Sequence, residues 1–484
     1  MDLEQVRKNK LKILKDQGID PYPAKVWRTH TCQQALDKFD NLLGKEVVLV
    51  GRLKTIRLHG KSAFAHLEDG TGSVQIYFKA NLLGEKKYKI FEETIDLGDF
   101  LECRGNLTLT KTEEKTLFLN DFRIISKALL PLPEKWHGLE DVETRYRQRY
   151  LDLIANQEVR QIFLKRSAII KAIHKFFDQE GFLHVETPIL QSMAGGANAK
   201  PFKTHHDALG IEMYLSIAPE LYLKRLIVGG FNKVYEVARC FRNEGIDWSH
   251  NPEFTQVEFY QAYADYQDLM KLTERFFAFL LPEIKTDFKI SYRGQTINFM
   301  PPYPRKKYIE AVQEYAEIDL NKLRDPKDLF RQAKKIGVVV EKNWSWAKMV
   351  DEIFKEKVRS KIVDPVFIIN HPVELSPLSK KTPDDPDYVE RFQLVIAGFE
   401  VCNAFSEIND PLDQEERFKK QQVMRTAGDE EAQMNDIEFV RALKHGMPPT
   451  AGMGLGIERL VMLLTGAKNI REVILFPTLK PKNK

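Results

Sequence analysis

The strongest constraint on the fold is a series of short β-rich runs between Lys45 and about Ser126: EVVLVGRL, SAFAHLEDGTGSVQIYF, DFLECRGNLTLT and TLFLNDFRIIS. Their number and spacing, with turn residues between them, predict a small β-barrel over residues 45–128. In SAFAHLED, Ala63, Ala65 and Leu67 share one face while Phe64 and His66 share the other. In SVQIYF, Val74, Ile76 and Phe78 oppose Gln75 and Tyr77. One face is therefore core and the other is aromatic and polar. Such a face suits single-stranded nucleic acid, whose bases stack on aromatics, with Arg52, Lys54 and Arg57 nearby for phosphates. Packing of Phe64 and Tyr77 beneath a loop or a neighbouring domain explains the same alternation, and the pattern leaves both readings open.

The flanking segments differ in texture. Residues 1–44 form a short extension whose first part reads as a helix, with Val6, Ile13 and Leu14 on one stripe and a stop at Gly18 and Pro21-Tyr22-Pro23. A linker is expected over 129–156, marked by Pro in Leu130–Gly138. Beyond it, 157–484 mixes helical and strand segments, beginning with a long helix near Gln157–Glu180, so the chain reads as α+β with two main domains. Lys and Arg number 73 against 69 Asp and Glu, a net charge of +4, which excludes a strongly basic polyanion binder and leaves local patches to do that work. The four cysteines, Cys32, Cys103, Cys240 and Cys402, contain no C-x-x-C pair, so zinc knuckles and disulfide frameworks are not expected and a reducing cytoplasm is. No run approaches a membrane span.

Three segments of the larger domain concentrate polar chemistry. VYEVARCFRNEG and PEFTQVEFYQAY read as two strands joined by a polar connection. A period of two puts Val237, Phe241, Val257 and Phe259 on one face, and Arg242, Glu244, Gln256, Glu258 and Tyr260 on the other. That mixed face makes a poor core and a good site for a substrate carrying both charges; a salt-bridged solvent face is the alternative. In RFQLVIAGFEVCNAFSEIND, a turn at Ala397-Gly398 pairs Val395 with Glu400 and places Gln393 diagonally on the same face. Asn403, Phe405 and Glu407 share a face by alternation, so a bulge near Cys402 or Asn403 is required if Glu400 and Glu407 serve one pocket. TAGMGLGIERLVMLLTG is glycine-rich and enters an apolar helix near Ile457, where the helix amino terminus and Arg459 favour an anion. It matches neither the Walker pattern nor the full dinucleotide fingerprint.

Together these segments resemble the signatures of the class II aminoacyl-tRNA synthetases: GFLHVETPIL with Pro188 is similar to the first, FRNEG with HNPEFTQ to the second, and GLGIERL to the third. APELYLKRL, AGGANAKPF and CNAFSEIND resemble the lysyl-tRNA synthetases within that class. The resemblance implies an OB-type five-stranded barrel that reads the tRNA anticodon, followed by a catalytic domain built on an antiparallel sheet flanked by helices. It implies activation of L-lysine by ATP, transfer to the 3'-terminal adenosine of tRNA(Lys), Mg²⁺, and a homodimer through the region around Pro188. By matching positions, Arg242 is expected to hold the lysine carboxylate and the ATP α-phosphate. Gly196, Glu220 and Glu258 are expected at the α-amino end, and Tyr260 and Glu407 at the side-chain ammonium, with Asn403 and Phe405 lining the pocket. Glu244, His250, Asn251, Phe254 and Gly456 are expected around ATP, Arg459 at the γ-phosphate and Glu400 on magnesium. Arg52, Phe64 and Gln75 match anticodon-reading positions.

Some residues depart from the pattern. Gln393 stands where the family carries a second metal-binding glutamate, and a neutral amide is a weaker ligand for a hard cation. Cys402 and Ala404 replace two glycines common in bacterial members, and Glu458 replaces an aspartate. Two other functions compete: a different aminoacyl-adenylate enzyme, and a nucleic-acid-binding module without catalysis. The second does not explain why Arg242, Glu244 and Arg459 remain together with the pocket residues.

Overall fold

The computed structural model describes residues 2–133, 139, 141–428 and 430–481. It divides into two compact units, Met1–Glu140 and Asp141–Lys484. The first unit holds five strands, β1 (Glu46–His59), β2 (Ser62–Glu68), β3 (Ser73–Lys79), β4 (Phe100–Leu109) and β5 (Lys115–Ser126), closed in the order β1-β2-β3-β5-β4. Closure removes both free edges. Ala63, Ala65, Leu67, Val74, Ile76 and Phe78 all point inward and are buried, while Phe64, His66, Gln75 and Tyr77 stay half-exposed on the outside.

The amino-terminal helix runs Leu3–Asp16, with the Asp2 side chain accepting from the Glu4 N–H at its start. Its inward face differs from the expected stripe. Leu14 is buried, but Ile13 is 39% exposed, and Arg7 takes the inner position instead. The Arg7 guanidinium can be buried because it donates to the carbonyls of Leu97, Ala128 and Leu130 at 3.1, 3.1 and 2.8 Å.

The stretch expected as a linker, 129–156, is shorter than that. Residues 134–138 lie outside the described residues, but Val142–Arg147 and Arg149–Ala155 are helical and belong to the second unit. The fully buried Asp152 carboxylate accepts from Arg145 and Arg149 at 2.9 and 2.7 Å and ties the two short helices together.

The second unit is built on eight strands: β6 (Leu183–His184), β10 (Lys233–Phe241), β11 (Glu253–Ala262), β14 (Arg305–Lys307), β15 (Val366–Ile369), β16 (Arg391–Ile396), β17 (Phe399–Ser406) and β18 (Thr450–Gly456). Two small sheets accompany it, one of β7 (Leu190–Gln191), β8 (Lys203–His206) and β9 (Ile211–Leu215), the other of β12 (Lys289–Tyr292) and β13 (Gln295–Asn298). The spatial order of the main sheet is β14-β15-β16-β17-β18-β11-β10-β6, antiparallel except at its two edge pairs. One face packs on the helices Gln157–Gln179, Tyr266–Glu283 and Ile457–Thr465 through a core that includes Phe177, Phe259, Phe277, Leu394, Met453 and Leu460. With one face covered by helices, the polar residues of the central strands collect on the other.

Candidate active site and candidate nucleic-acid face

Local sequence fixes where each polar side chain emerges. On β10 and β11 the register pairs Glu236 with Glu258 and Val237 with Val257, so Gln256, Glu258 and Tyr260 leave the sheet on the face away from the helices. Glu244 lies past the end of β10 and reaches the same cavity from the loop. In the β16–β17 hairpin, Ala397 and Gly398 both have positive φ, 48° and 77°, as a two-residue hairpin loop requires. The register then pairs Val395 with Glu400 but Leu394 with Cys402, so Val401 is the extra residue of a bulge. The bulge falls one residue before the expected position. It still re-phases the strand, so Glu400, Asn403 and Phe405 line the same cavity while Val401, Cys402 and Ala404 enter the core.

Strand β18 lies between β17 and β11 and makes the floor of a trough. Phe405, Gly452 and Tyr260 form one row across the three strands, and Asn403, Gly454 and Glu258 form the next. Gly452, Gly454 and Gly456 of the glycine-rich segment are all strand residues, and only Gly456 abuts the helix Ile457–Thr465. Their function is to leave room. A Cβ on Gly452 would lie 2.2 Å from the Tyr260 ring and 2.5 Å from Glu407 Oε1. Asn403 and Phe405 wall one side and Glu258 and Tyr260 the other, enclosing a cavity of about 350 Å³.

The closed end of the trough is acidic. Glu258 is 6% exposed; its Oε1 accepts from Gln256 at 2.7 Å, and its Oε2 has no partner. Glu407, 1% exposed, also has an unpartnered oxygen, Oε1. Burial pushes both carboxyls well above their usual range; the Lys224 ammonium, and for Glu258 also Arg242, pulls the other way. Buried carboxylate oxygens without donors are costly unless a cationic ligand meets them. Glu220 opens the helix Glu220–Val228 and accepts from Lys224 Nζ at 2.6 Å, one turn further along. The same ammonium is ion-paired with Glu407 Oε2. Gly196 (φ 88°) covers Glu220 so closely that a Cβ there would lie 2.8 Å from the Glu220 Cβ.

The other end is basic and open. Arg242 lies 5.0 Å from the centre of the Phe254 ring, and its Nε is buried without a partner. Arg459, in the first turn of its helix, donates to the Glu400 carbonyl at 2.9 Å and lies 3.4 Å from His250 Nε2. His250 is held in turn by Asp247 at 2.8 Å. The Asn251 side chain donates to the Glu253 carbonyl at 2.6 Å, which fixes the strand entry beneath Phe254. Gly196, Glu220, Arg242, Glu244, His250, Asn251, Phe254, Glu258, Tyr260, Glu400, Asn403, Phe405, Gly456 and Arg459 all line this one cavity. Gln393 is not among its lining residues. It stands opposite Asn403 and Ile368, is 6% exposed, and its amide lies beside the buried His371 ring. Glu407 sits behind the lining, reached past Gly452.

Arg391 and Lys224 are among the residues of this site that sequence reasoning missed. Arg391 lines the cavity and donates from Nε to Asn403 Oδ1 at 2.8 Å, which orients that amide. Lys224 gave no signal, because a Glu and Lys four apart on a helix read as an ordinary surface pair.

On the barrel, Phe64 faces Tyr77 across β2 and β3 with ring centroids 4.5 Å apart, and Tyr77 faces Phe118 on β5 at 4.9 Å. Gln75, on the same face, accepts from the Thr116 hydroxyl at 2.7 Å. Arg57 is the cross-strand neighbour of Phe64, whereas Arg52 pairs with Glu68 at the other end of the strand. Arg52 lies 4.3 Å from the Phe100 ring centre and donates to the Gly98 carbonyl.

Comparison with known proteins fits this division. Residues 141–480 match the family model of tRNA synthetases class II (D, K and N). The chain belongs to the class II tRNA synthetases. Residues 47–125 match an OB-fold nucleic acid binding domain. The synthetase is 50% identical over 482 residues to a lysine–tRNA ligase of Carboxydothermus hydrogenoformans, covering 100% of this chain and 99% of that one. It is 49% identical over 483 residues to the lysine–tRNA ligase of Pelotomaculum thermopropionicum, at 99% and 95% coverage. A Clostridium novyi lysine–tRNA ligase is 50% identical over 483 residues, at 99% and 94%. Among the described residues no helix is long and apolar enough to cross a membrane.

Proposed function

We propose that this synthetase is an ATP-dependent lysine–tRNA ligase. The observation that carries the reading is the pair of unpartnered, buried carboxylate oxygens, Glu258 Oε2 and Glu407 Oε1. The two side chains stand beside Gly454 and Gly452 of one strand, positions separated by roughly 6.6–6.8 Å of backbone, a spacing that suits a ligand with an ammonium group at each end. An amino acid with an apolar or acidic side chain would leave Glu407 Oε1 buried without a partner.

In the bound complex the α-ammonium meets Glu258 near Gly196 and Glu220, the aliphatic stem lies over the glycine floor between Phe405 and Tyr260, and the side-chain ammonium meets Glu407. Arg242 then holds the lysine carboxylate against the α-phosphate. A carboxylate oxygen forms a bond to that phosphorus as the bond to the pyrophosphate oxygen breaks, giving lysyl-adenylate and pyrophosphate. The carboxylate is itself the nucleophile, so the protein supplies position and positive charge. Phe254 offers a ring face to adenine, with Glu244, His250 and Asn251 around the nucleotide, and Arg459 neutralises the γ-phosphate. In the second step the hydroxyl of the 3'-terminal adenosine of tRNA(Lys) attacks the adenylate carbonyl and AMP leaves.

The donor set fits Mg²⁺ through Glu400. Among the described residues no group of three or more acidic, His or Cys side chains could hold an ion alone, so an ion here would share Glu400 with phosphate oxygens, as magnesium commonly does. Gln393, the cross-strand neighbour of Asn403, offers an amide oxygen on the same sheet face. When bound, the ion neutralises phosphate charge and orients the leaving pyrophosphate.

Phe64, Gln75 and Arg52 serve anticodon recognition on the barrel, with Tyr77 and Phe118 extending the stacking surface. Leu183, Ile189 and Leu190, 46–48% exposed around Pro188, supply an apolar surface for a homodimer in the cytoplasm. Lysine-dependent exchange of pyrophosphate into ATP, compared with aspartate and asparagine, followed by charging of tRNA(Lys), tests the proposal. Exchange with aspartate and none with lysine would refute it.

A further inference from the structure

The pocket that takes the substrate ammonium already contains one. Lys224, 1% exposed, points from the helix Glu220–Val228 into the space between two carboxylates. Its Nζ lies 2.6 Å from Glu220 Oε1 and is ion-paired with Glu407 Oε2. Three rings enclose it, Phe405, Phe439 and Tyr260, with centroids 5.4, 5.7 and 5.9 Å away. All three lie within cation–π range of the ammonium. This is a built site for a cation, filled by the chain itself.

The charges count as follows. Glu220 and Glu407 bring two negative charges and Lys224 one positive, which leaves one negative charge, the amount that a single further ammonium neutralises. Glu407 divides its two oxygens: Oε2 meets Lys224, and Oε1, unpartnered, lies toward Gly452 at the trough floor. We propose that Lys224 is a positioning residue for lysine selection, a built-in counter-ion that opposes the protonation of Glu407 and aims its free oxygen at the side-chain ammonium of the substrate. The proposal rests on the lysine–tRNA ligase reading. Burial alone would protonate a carboxylate so placed. The other charged or titratable groups facing the cluster are Glu258 and Tyr260 on β11 and Arg391 on β16; Glu258 and Tyr260, as neighbours of Glu220 and Glu407, oppose a second negative charge, so none of them except Arg391 could replace the ammonium. Arg391 is engaged with Asn403, Leu375 and Ser376.

The test is Lys224→Met, with Lys224→Arg as the charge-retaining control, in pyrophosphate exchange between about pH 6 and pH 9. Lys224→Met should raise the KM for lysine about 10- to 100-fold near neutral pH, the scale of a hydrogen bond to a charged group, with the KM for ATP close to wild type. The sign follows from Glu407. Without the ammonium its carboxyl titrates at higher pH, so the deficit should narrow as the pH rises and Glu407 regains its charge. Lys224→Arg should keep the wild-type pH profile. A Lys224→Met enzyme with the wild-type lysine KM and profile, or with a deficit equal at every pH, overturns the proposal. If Lys224→Met does not fold, calorimetry of lysine binding to Glu258→Gln near neutral pH, in buffers of different ionisation enthalpy, decides the matter. A Glu407 that Lys224 holds ionised releases no proton when lysine binds; release of about one proton overturns the proposal. Wild-type protein without lysine-dependent exchange would instead refute the proposed function itself.

Discussion

Replacing Glu407 by Gln tests the side-chain end of the pocket with the smallest change of shape. The carboxylate is 1% exposed, is paired on one oxygen with Lys224, and carries an unpartnered second oxygen at the trough floor. The amide keeps the volume but removes the charge that opposes two ammonium groups once lysine is bound. Truncating one partner of a buried charge pair costs about 3–5 kcal/mol, part of it the exposure of Lys224 to a weaker partner in the free protein as well. Taking about 3 kcal/mol as the share lost in the transition state, kcat/KM for lysine in pyrophosphate exchange should fall more than about 100-fold. The KM for ATP should stay within about threefold, because Arg242, Phe254 and Arg459 lie at the opposite end of the cavity. Lysine activation by Glu407→Gln within a few-fold of wild type, in protein with an unchanged melting curve, would refute the assignment of Glu407 to the ammonium.

Further outcomes follow from other parts of the molecule. Gly452→Ala would drive a methyl group into the Tyr260 ring and Glu407 Oε1, at 2.2 and 2.5 Å, so lysine activation should fall at least about 100-fold while ATP binding, followed by fluorescence or calorimetry, remains. Phe64→Ala should weaken charging of tRNA(Lys) by about 1–3 kcal/mol, the worth of one stacked base, and leave pyrophosphate exchange intact; equal loss in both assays would point to an unfolded barrel. Gln393→Glu should shift the magnesium dependence of adenylate formation to lower concentration without altering lysine selectivity, since a carboxylate adds Coulombic attraction for the ion. Superimposable titrations would remove residue 393 from the metal site.

Much of the architecture follows from short-range patterns. The period of two placed Ala63, Ala65 and Leu67 inside the barrel and Phe64 outside it, and put Glu258 and Tyr260 together on one face of β11. The Ala397-Gly398 turn was enough to pair Val395 with Glu400, because a two-residue loop fixes hairpin register, and the odd spacing of Glu400 and Glu407 required a bulge. These features depend only on neighbours a few residues apart. The position of Ile13 did not follow in this way: periodicity defines an apolar stripe, but three distant carbonyls turned Arg7 inward instead.

Tertiary structure decided what the sequence had no local means of expressing. Strand order is one such feature: β18 enters between β17 and β11, though nearly two hundred residues of chain separate β11 from it, and only that neighbourhood turns three glycines into the floor of a trough. Lys224 is another. Glu220 and Lys224 stand one turn apart in ELYLKRLIV, a spacing that on most helices marks an exposed ion pair. Their burial comes from β17, β11 and the helix Ile437–Leu443 closing over them with Phe405, Tyr260 and Phe439. The spacing of charges along a helix is set by its pitch, whereas their dielectric surroundings, and hence their chemistry, are set by whatever distant chain packs against them.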